Sequence, residues 1–195
     1  MTRSLVTLRC AMPSDASRLA ELWSEVLRRG DHDEQVADLL SIIERVTDAT
    51  DERVVVAEYD GEVAGAVHLC VTTMTPLNLE PAVLAVSPHV FPDFRRHGVG
   101  RALMESAVSF AEDLGIGHVA TAAASGSRDA NRFMARLSLG PQAVLRVAST
   151  HAVRSKLTAQ RPSAQRAGGR QLTQVLAARR SMRKSQAAPI GDAQG

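Results

Sequence analysis

Apolar residues recur at two periods along this chain, and the switches between them divide it into elements. Residues 4–11, SLVTLRCA, alternate as an opening strand that ends before Pro13, with Ser14 or Asp15 placed to cap a following helix. Ala16, Leu19, Ala20, Trp23 and Leu27 then return at helical spacing until Gly30, and after DHDE a second helical face comprises Val36, Leu39, Leu40, Ile43 and Val46. RVVVAEYDGEVAGAVHLCVTTM holds two β-branched runs about Asp60-Gly61, a dipeptide suited to a tight hairpin turn. AVLAVSPHVF is a further strand. Because Pro88 has no amide to donate, that strand is expected to bulge or to pair only in part. Val99, Leu103, Ala107, Phe110 and Leu114 line a third helix that begins near Gly98 and is closed by DLGIG. HVATAAA reads as a strand, SRDANRFMARLSLG as a capped helix and QAVLRVASTHAV as a last strand. The order strand, helix, helix, three strands, helix, strand, helix, strand is an α/β pattern with a mixed sheet.

The pattern changes after residue 153. TAQRPSAQRAGGR is a polar linker, and QLTQVLAARRSMRKS carries a narrow apolar face of Leu172, Val175, Leu176 and Met182. The reading is a domain over 1–153 and a basic linker and tail over 154–195, with a short helix at about 170–185 and disorder outside it. Charge follows the same division. Residues 1–153 carry 14 Arg and no Lys against 20 Asp and Glu, a balance of −6, whereas 154–195 carry 9 basic residues against Asp192, a balance of +8. The 195 residues suit one domain with a sizeable core and an appendage. Cys10 and Cys70, both in predicted strands, are expected to be buried, reduced thiols. No run approaches the roughly 20 apolar residues of a membrane span, and the first residues lack a signal peptide's apolar region, so a cytoplasmic protein is expected. Scarce lysine with abundant Ala and Arg suggests a bacterial source. No metal site is expected.

The stretch FPDFRRHGVGRAL, residues 91–103, carries the chemistry. A helix start leaves backbone amides unbonded and bears partial positive charge, and glycines let that backbone approach an anion closely. Gly98 and Gly100 supply this approach, and Arg95, Arg96, His97 and Arg101 surround it with donors. A solvated strand-to-helix corner is the plainer reading, and spacing alone favours a diphosphate only slightly. The motif is not a P-loop, because Gly100 is followed by Arg101-Ala102, and it lacks the third glycine and early position of a dinucleotide fingerprint.

Arg95-Arg96-His97-Gly98-Val99-Gly100 resembles the acetyl-CoA signature of the GNAT superfamily of N-acetyltransferases, and HVFPDFRRHGVGRALMESAVSFAEDLGI resembles its strand, loop and helix throughout. The resemblance extends more weakly over residues 4–152. It implies an α/β fold with a mixed, mostly antiparallel central sheet flanked by helices and a splayed pair of central strands. It also implies acetyl-CoA as co-substrate, with the diphosphate at His97, Gly98, Val99, Gly100, Arg101 and Ala102. His89, Val90 and Phe91 would present main-chain groups to the pantetheine, and Asp129 stands where the family often has a cofactor-touching Asn. The reaction implied is direct acetyl transfer to a primary amine of a small molecule or peptide.

The proton-transfer residues are not identified. The family's usual tyrosine position falls on Arg136, Tyr59 is distant along the chain, and AVLAVSPHV holds no carboxylate. Candidate replacements are His89, His68, Glu80, Ser87, Ser125 and Ser127; of these, His89 suits a base chemically, His68 reads as a satisfied half-buried histidine and Glu80 as a solvated charge. Asp31, Asp33 and Glu34 either attract a cationic amine or complement a helix dipole. Two alternatives stay open: a non-catalytic acyl-CoA-binding or regulatory module, and nucleic-acid contact through the basic tail. The tail's lack of aromatic residues argues against base stacking, and a fold-back onto the acidic domain or a partner subunit of a homodimer serves equally.

Overall fold

The computed structural model describes residues 5–122, 127–143 and 146–160. Contacts divide the chain into two units, Met1–Gln142 and Ala143–Gly195. The first opens with β1 (Val6–Cys10), a 3-10 turn at Pro13–Asp15, α1 (Ala16–Leu22) and α2 (His32–Thr47). There follow β2 (Glu52–Tyr59), β3 (Glu62–Thr75), β4 (Asn78–Val90), a 3-10 turn at Pro92–Phe94, α3 (Val99–Asp113), β5 (Val119–Thr121) and α4 (Arg128–Arg136). The sheet order is β1-β2-β3-β4-β5, antiparallel except for the last pair. The mixed, mostly antiparallel α/β fold expected from the sequence is present.

One turn and two bulges set the register. Asp60 and Gly61 both take positive φ, 52° and 85°, the left-handed pair that a two-residue hairpin loop requires. A bulge at Ala57/Glu58 then shifts the β2–β3 register by one, so that Val54 faces His68 and Glu52 faces Cys70. In β4, Ala66 pairs with His89 but His68 pairs with Val86, so β4 holds one residue more than β3 around Ser87-Pro88, and Ser87 takes φ 47°. This is the irregularity expected at Pro88.

The sheet separates two cores. Alternation in β2 sends Val55 and Ala57 to one face, where α3 buries Val99, Leu103, Ala107 and Phe110, and Val54 and Val56 to the other, against Leu19, Trp23, Leu39 and Ile43 of the α1–α2 side. Full burial of side chains such as Leu103 or Phe110 contributes about 1.5–3 kcal/mol each.

Three expectations change. α1 ends at Leu22 rather than running to Leu27, and the chain continues in turns. The last strand, expected over 142–153, is absent among the described residues of that range: the second unit has α5 (Thr150–Ala159), whose first turn is capped by Ser149 Oγ accepting from Ala152 N at 3.2 Å. Ser149 as cap and the helix-favouring Ala152, Arg154, Lys156, Leu157 and Ala159 outweigh the β-branched alternation before them. β5 therefore lies at the edge of the sheet among the described residues. Cys10, expected buried, is exposed, while Cys70 is half-buried; both thiols are free. The helix expected at about 170–185 lies outside the described residues. No helix among them is long and apolar enough to cross a membrane.

Asp15 is the buried charge that ties the start of α1 to the sheet. Its carboxylate accepts from Arg9 Nη1 and Nη2 at 2.7 and 2.9 Å and from Met12 N at 2.7 Å. The Arg9 guanidinium, and then the Met12 amide, holds this carboxyl below its ordinary range against the opposing effect of burial. The ionised form is thus the one the fold favours, and its contribution is complete above the ordinary carboxylate range and lost as pH falls through the lowered value. Asp15→Asn is expected to lower unfolding free energy by about 2 kcal/mol at pH 7. Urea titrations should show that difference shrinking below about pH 4.

Candidate functional site

β4 outruns its parallel neighbour. Among the described residues, pairing with β5 covers Val83–Val119, Leu84–Ala120 and Ala85–Thr121, after which β4 continues to Val90. Thr121 Oγ1 donates to Ala85 O at 2.8 Å and closes the paired part. Beyond it, Phe91 N donates to Ala64 O at 2.9 Å. Since amides of an antiparallel strand alternate in direction, the Val90 amide points the other way, to the side that β5 has left open. This is the expected splay of two strands. Of the three residues expected to present main-chain groups there, Val90 has its amide on the open side. Both main-chain groups of Phe91 are engaged, its carbonyl accepting from Phe94 N at 3.0 Å, and His89 pairs with Ala66 while its Nδ1 lies 3.1 Å from Ser87 O.

The chain then turns into α3 through two left-handed residues, Arg96 at φ 66° and Gly98 at φ 86°. Gly98 is the N-cap and has no side chain with which to cap. Ala102, expected among the donors, spends its amide on Gly98 O at 3.0 Å, which leaves the amides of Val99, Gly100 and Arg101 at the exposed end of the helix. A Cβ on Gly98 would meet nothing within 4 Å, so the backbone angle, not space, calls for glycine there. Arg95, Arg96 and His97 are exposed around this corner, while Arg101 Nε donates to Glu105 Oε1 at 2.8 Å along the helix. Asp129 lies exposed in the first turn of α4, whose cap is Ser127 Oγ, accepting from Ala130 N at 3.4 Å. Such a corner suits a diphosphate or a similar anion.

Three residues escaped sequence reasoning, the first two at this corner and the third across the sheet. Tyr59, far along the chain, packs its ring against His97 in a tilted contact, centroids 4.7 Å apart and planes at 59°, and stands 6.1 Å from Phe94. It supports the turn from behind. Gly65 lies under β4: a Cβ there would stand 2.5 Å from His89 O and 3.1 Å from Val99 Cγ1. Glu52 holds His68, its Oε1 being 2.6 Å from His68 Nε2, with Arg45 on its other oxygen. The Arg45 guanidinium chiefly, and His68 next, holds the Glu52 carboxyl below its ordinary range.

The remaining proton-transfer candidates are dispersed. Glu80 is exposed, 3.5 Å from His118 Nδ1, and Arg136 is exposed at the end of α4. Ser125 lies outside the described residues. Ser87 and His68, by contrast, line one cavity of about 190 Å³ on the α1–α2 side of the sheet, together with Trp23, Leu39 and Val54. Of the acidic residues at the start of α2, Asp31 caps the helix by accepting from Glu34 N at 2.8 Å, Glu34 pairs with Arg28 at 3.2 Å, and Asp33 is exposed; Asp38, one turn on, also pairs with Arg28 at 2.5 Å.

Residues 16–139 match the family model described as Acetyltransferase (GNAT) family. The chain belongs to the GNAT acetyltransferase family. No curated protein matches it. Among solved structures, this GNAT chain is similar to a transcriptional regulator from Bacillus halodurans C-125, at 18% identity and a TM-score of 0.64 over 74% of this chain and 99% of that one. It is also similar to aminoglycoside N-acetyltransferase AAC(6')-Iy in complex with CoA, at 16% identity and TM-score 0.61 over 74% and 95%. The glucosamine-6-phosphate N-acetyltransferase of Arabidopsis thaliana aligns at 17% identity and TM-score 0.58 over 74% and 98%. At these identities the likeness is one of fold.

Gly65→Ala tests the close approach of β3 to β4. A methyl group 2.5 Å from a backbone oxygen forces the strand to move, which is expected to cost about 1–3 kcal/mol in thermal unfolding. Gly117→Ala, where a Cβ meets nothing within 4 Å, should stay near the wild-type melting temperature.

Proposed function

We propose that this GNAT protein transfers the acetyl group of its co-substrate, acetyl-CoA, directly to a primary amine of a small molecule or peptide. One observation carries the reading: the glycine corner, with the amides of Val99, Gly100 and Arg101 at the positive end of α3, adjoins the slot where β4 has lost its neighbour. In this reading those amides, with Arg95, Arg96 and His97, hold the diphosphate, and Asp129 borders it. The thioester arm lies along His89, Val90 and Phe91 as an added strand, with the Val90 amide as the donor on the open side. The carbonyl oxygen gains negative charge as the amine attacks. A donor aimed at that oxygen is worth about 3 kcal/mol of barrier in enzymes where one has been removed. The amine must arrive neutral, and the departing thiolate must receive a proton.

A second reading is an acyl-CoA-binding or regulatory module without turnover. It is favoured by the exposed Arg136 at the position where the resemblance implies a tyrosine, and by Tyr59 being packed against His97 instead.

Calorimetry with coenzyme A tests the corner. A non-glycine residue at φ near +86° costs roughly 1–2 kcal/mol, so Gly98→Ala is expected to weaken binding about tenfold. Gly100→Leu, built on a Cβ already 3.7 Å from Val90 Cγ2 and 3.8 Å from Phe133 Cζ, should weaken it further. Absence of uptake by the wild type, or equal uptake by all three proteins, would remove the basis of the assignment. Release of free CoA thiol from acetyl-CoA over an amine panel supports transfer, whereas binding with no release supports the second reading.

A further inference from the structure

The cavity on the α1–α2 side holds the one histidine that is both carboxylate-bound and set against the β4 bulge. Its apolar wall includes Trp23, Leu27, Leu39 and Ile42; the polar side chains on it are the indole of Trp23, His68 and Ser87. The indole is engaged, Nε1 donating to Ser87 O at 2.9 Å. No carboxylate lines the cavity; of the nearby acids, Asp31 is spent on the α2 cap and Glu34 and Asp38 on Arg28. A polycation would find no counter-charge on the cavity wall. An aromatic or branched alkyl group would bury its surface against the indole and the aliphatic side chains.

His68 pairs across the sheet with Val86, one residue past Ala85, where the β4–β5 pairing stops. The cavity wall at Val86 and Ser87 is therefore also the near edge of the slot in which the thioester is read to lie. Glu52, on β2, fixes the tautomer of this imidazole. An ionised carboxylate only accepts, so Nε2 carries the hydrogen and Nδ1 keeps its lone pair.

We propose that His68, oriented by Glu52, takes the proton from the incoming ammonium, and that the cavity selects an apolar monoamine bearing an aryl or branched alkyl group. The inference rests on the acetyltransferase reading. Nδ1 removes one proton from R–NH3+, leaving R–NH2 and an imidazolium paired with Glu52. The amine nitrogen then attacks the thioester carbonyl carbon, the C–N bond forms, and the C–S bond breaks with its electron pair leaving on sulfur. The second N–H proton goes to that thiolate, and His68 returns its proton to water. The products are the amide, the CoA thiol and one proton. Glu52 is a positioning residue in this scheme. The charged and titratable groups around the pair are Arg45 from α2, Cys70 opposite Glu52 on β3 and His89 on β4.

The test uses the full chain, with phenethylamine and the polycation neamine as acceptors. Trp23 is the chain's single tryptophan, so its fluorescence reports occupancy of the cavity without turnover. Phenethylamine is expected to change that emission saturably and neamine is not; Ile42→Phe, which narrows the cavity, should raise the phenethylamine Kd at least tenfold and leave the CoA Kd unchanged. His68→Gln is expected to lower kcat by about 10²–10³ at neutral pH with an unaltered CoA Kd. The acidic limb of the wild-type pH profile should vanish in it, and the deficit should narrow at alkaline pH where the amine is already neutral. Glu52→Gln, which removes the carboxylate that orients the ring, should lower kcat severalfold while leaving the Kd values for phenethylamine and CoA unchanged. Unchanged kcat and an unchanged limb in a folded His68→Gln protein would overturn the proton role. Preference for neamine in fluorescence and turnover would overturn the acceptor class. CoA binding without turnover of any amine would instead overturn the acetyltransferase reading, and the proton role with it.

Discussion

Pro88 cannot donate a hydrogen bond, and the site is built around how β4 accommodates that loss. The strand takes up an extra residue, and Ser87 adopts a left-handed backbone that a non-glycine residue holds at a cost of about 1–3 kcal/mol. Neighbours hold it there. The single carbonyl of Ser87 accepts from the Trp23 indole at 2.9 Å and lies 3.1 Å from His89 Nδ1, so one oxygen joins the α1 side, the bulge and the strand that leads to the glycine corner. The irregular stretch begins just past Ala85, where β5 ends its pairing, so β4 changes course at the point where one side of it becomes open.

The sheet keeps two kinds of chemistry apart. On the α3 side, apolar packing of Val99, Leu103 and Phe110 fixes the helix whose first amides are left for an anion, and Gly65 lets β4 lie close enough to meet Val99. On the other side, Arg45, Glu52 and His68 form a polar chain beside a mostly apolar cavity. Tyr59 belongs to neither reaction partner. It packs under His97 and Phe94, so the turn carrying Arg95 and Arg96 rests on an aromatic ring rather than on solvent.

Much of this was legible in the chain itself because it depends on local chemistry. The hairpin at Asp60-Gly61, the helical faces and the irregularity at Pro88 each follow from what one residue's backbone can do or from a period of two or 3.6. The glycine corner was legible for the same reason, and the GNAT resemblance sharpened it. The strand expected over 142–153 was misread because Ser149 starts a helix there, a competition between a cap and a β-branched run that alternation does not resolve. Of Asp31, Asp33 and Glu34, which read as a lure for a cation or as complements to a helix dipole, the fold sets Asp31 at the α2 cap, brings Arg28 to Glu34 and leaves Asp33 exposed in the first turn of α2.

The pairing of His68 with Glu52 shows where local reasoning stops. Counting back from a two-residue turn at Asp60-Gly61 in strict register sets His68 opposite Arg53, on the face away from Glu52. The bulge at Ala57/Glu58 moves the register by one and brings histidine and carboxylate to the same face, 2.6 Å apart. By itself the sequence determined the order of the elements up to α4, the turn types and the glycine corner, because these are set by the conformational range of single residues and by short-range periodicity. Tertiary structure decided which side chains meet: a one-residue slip reverses a strand's faces, and where the slip falls depends on packing between elements distant in the chain.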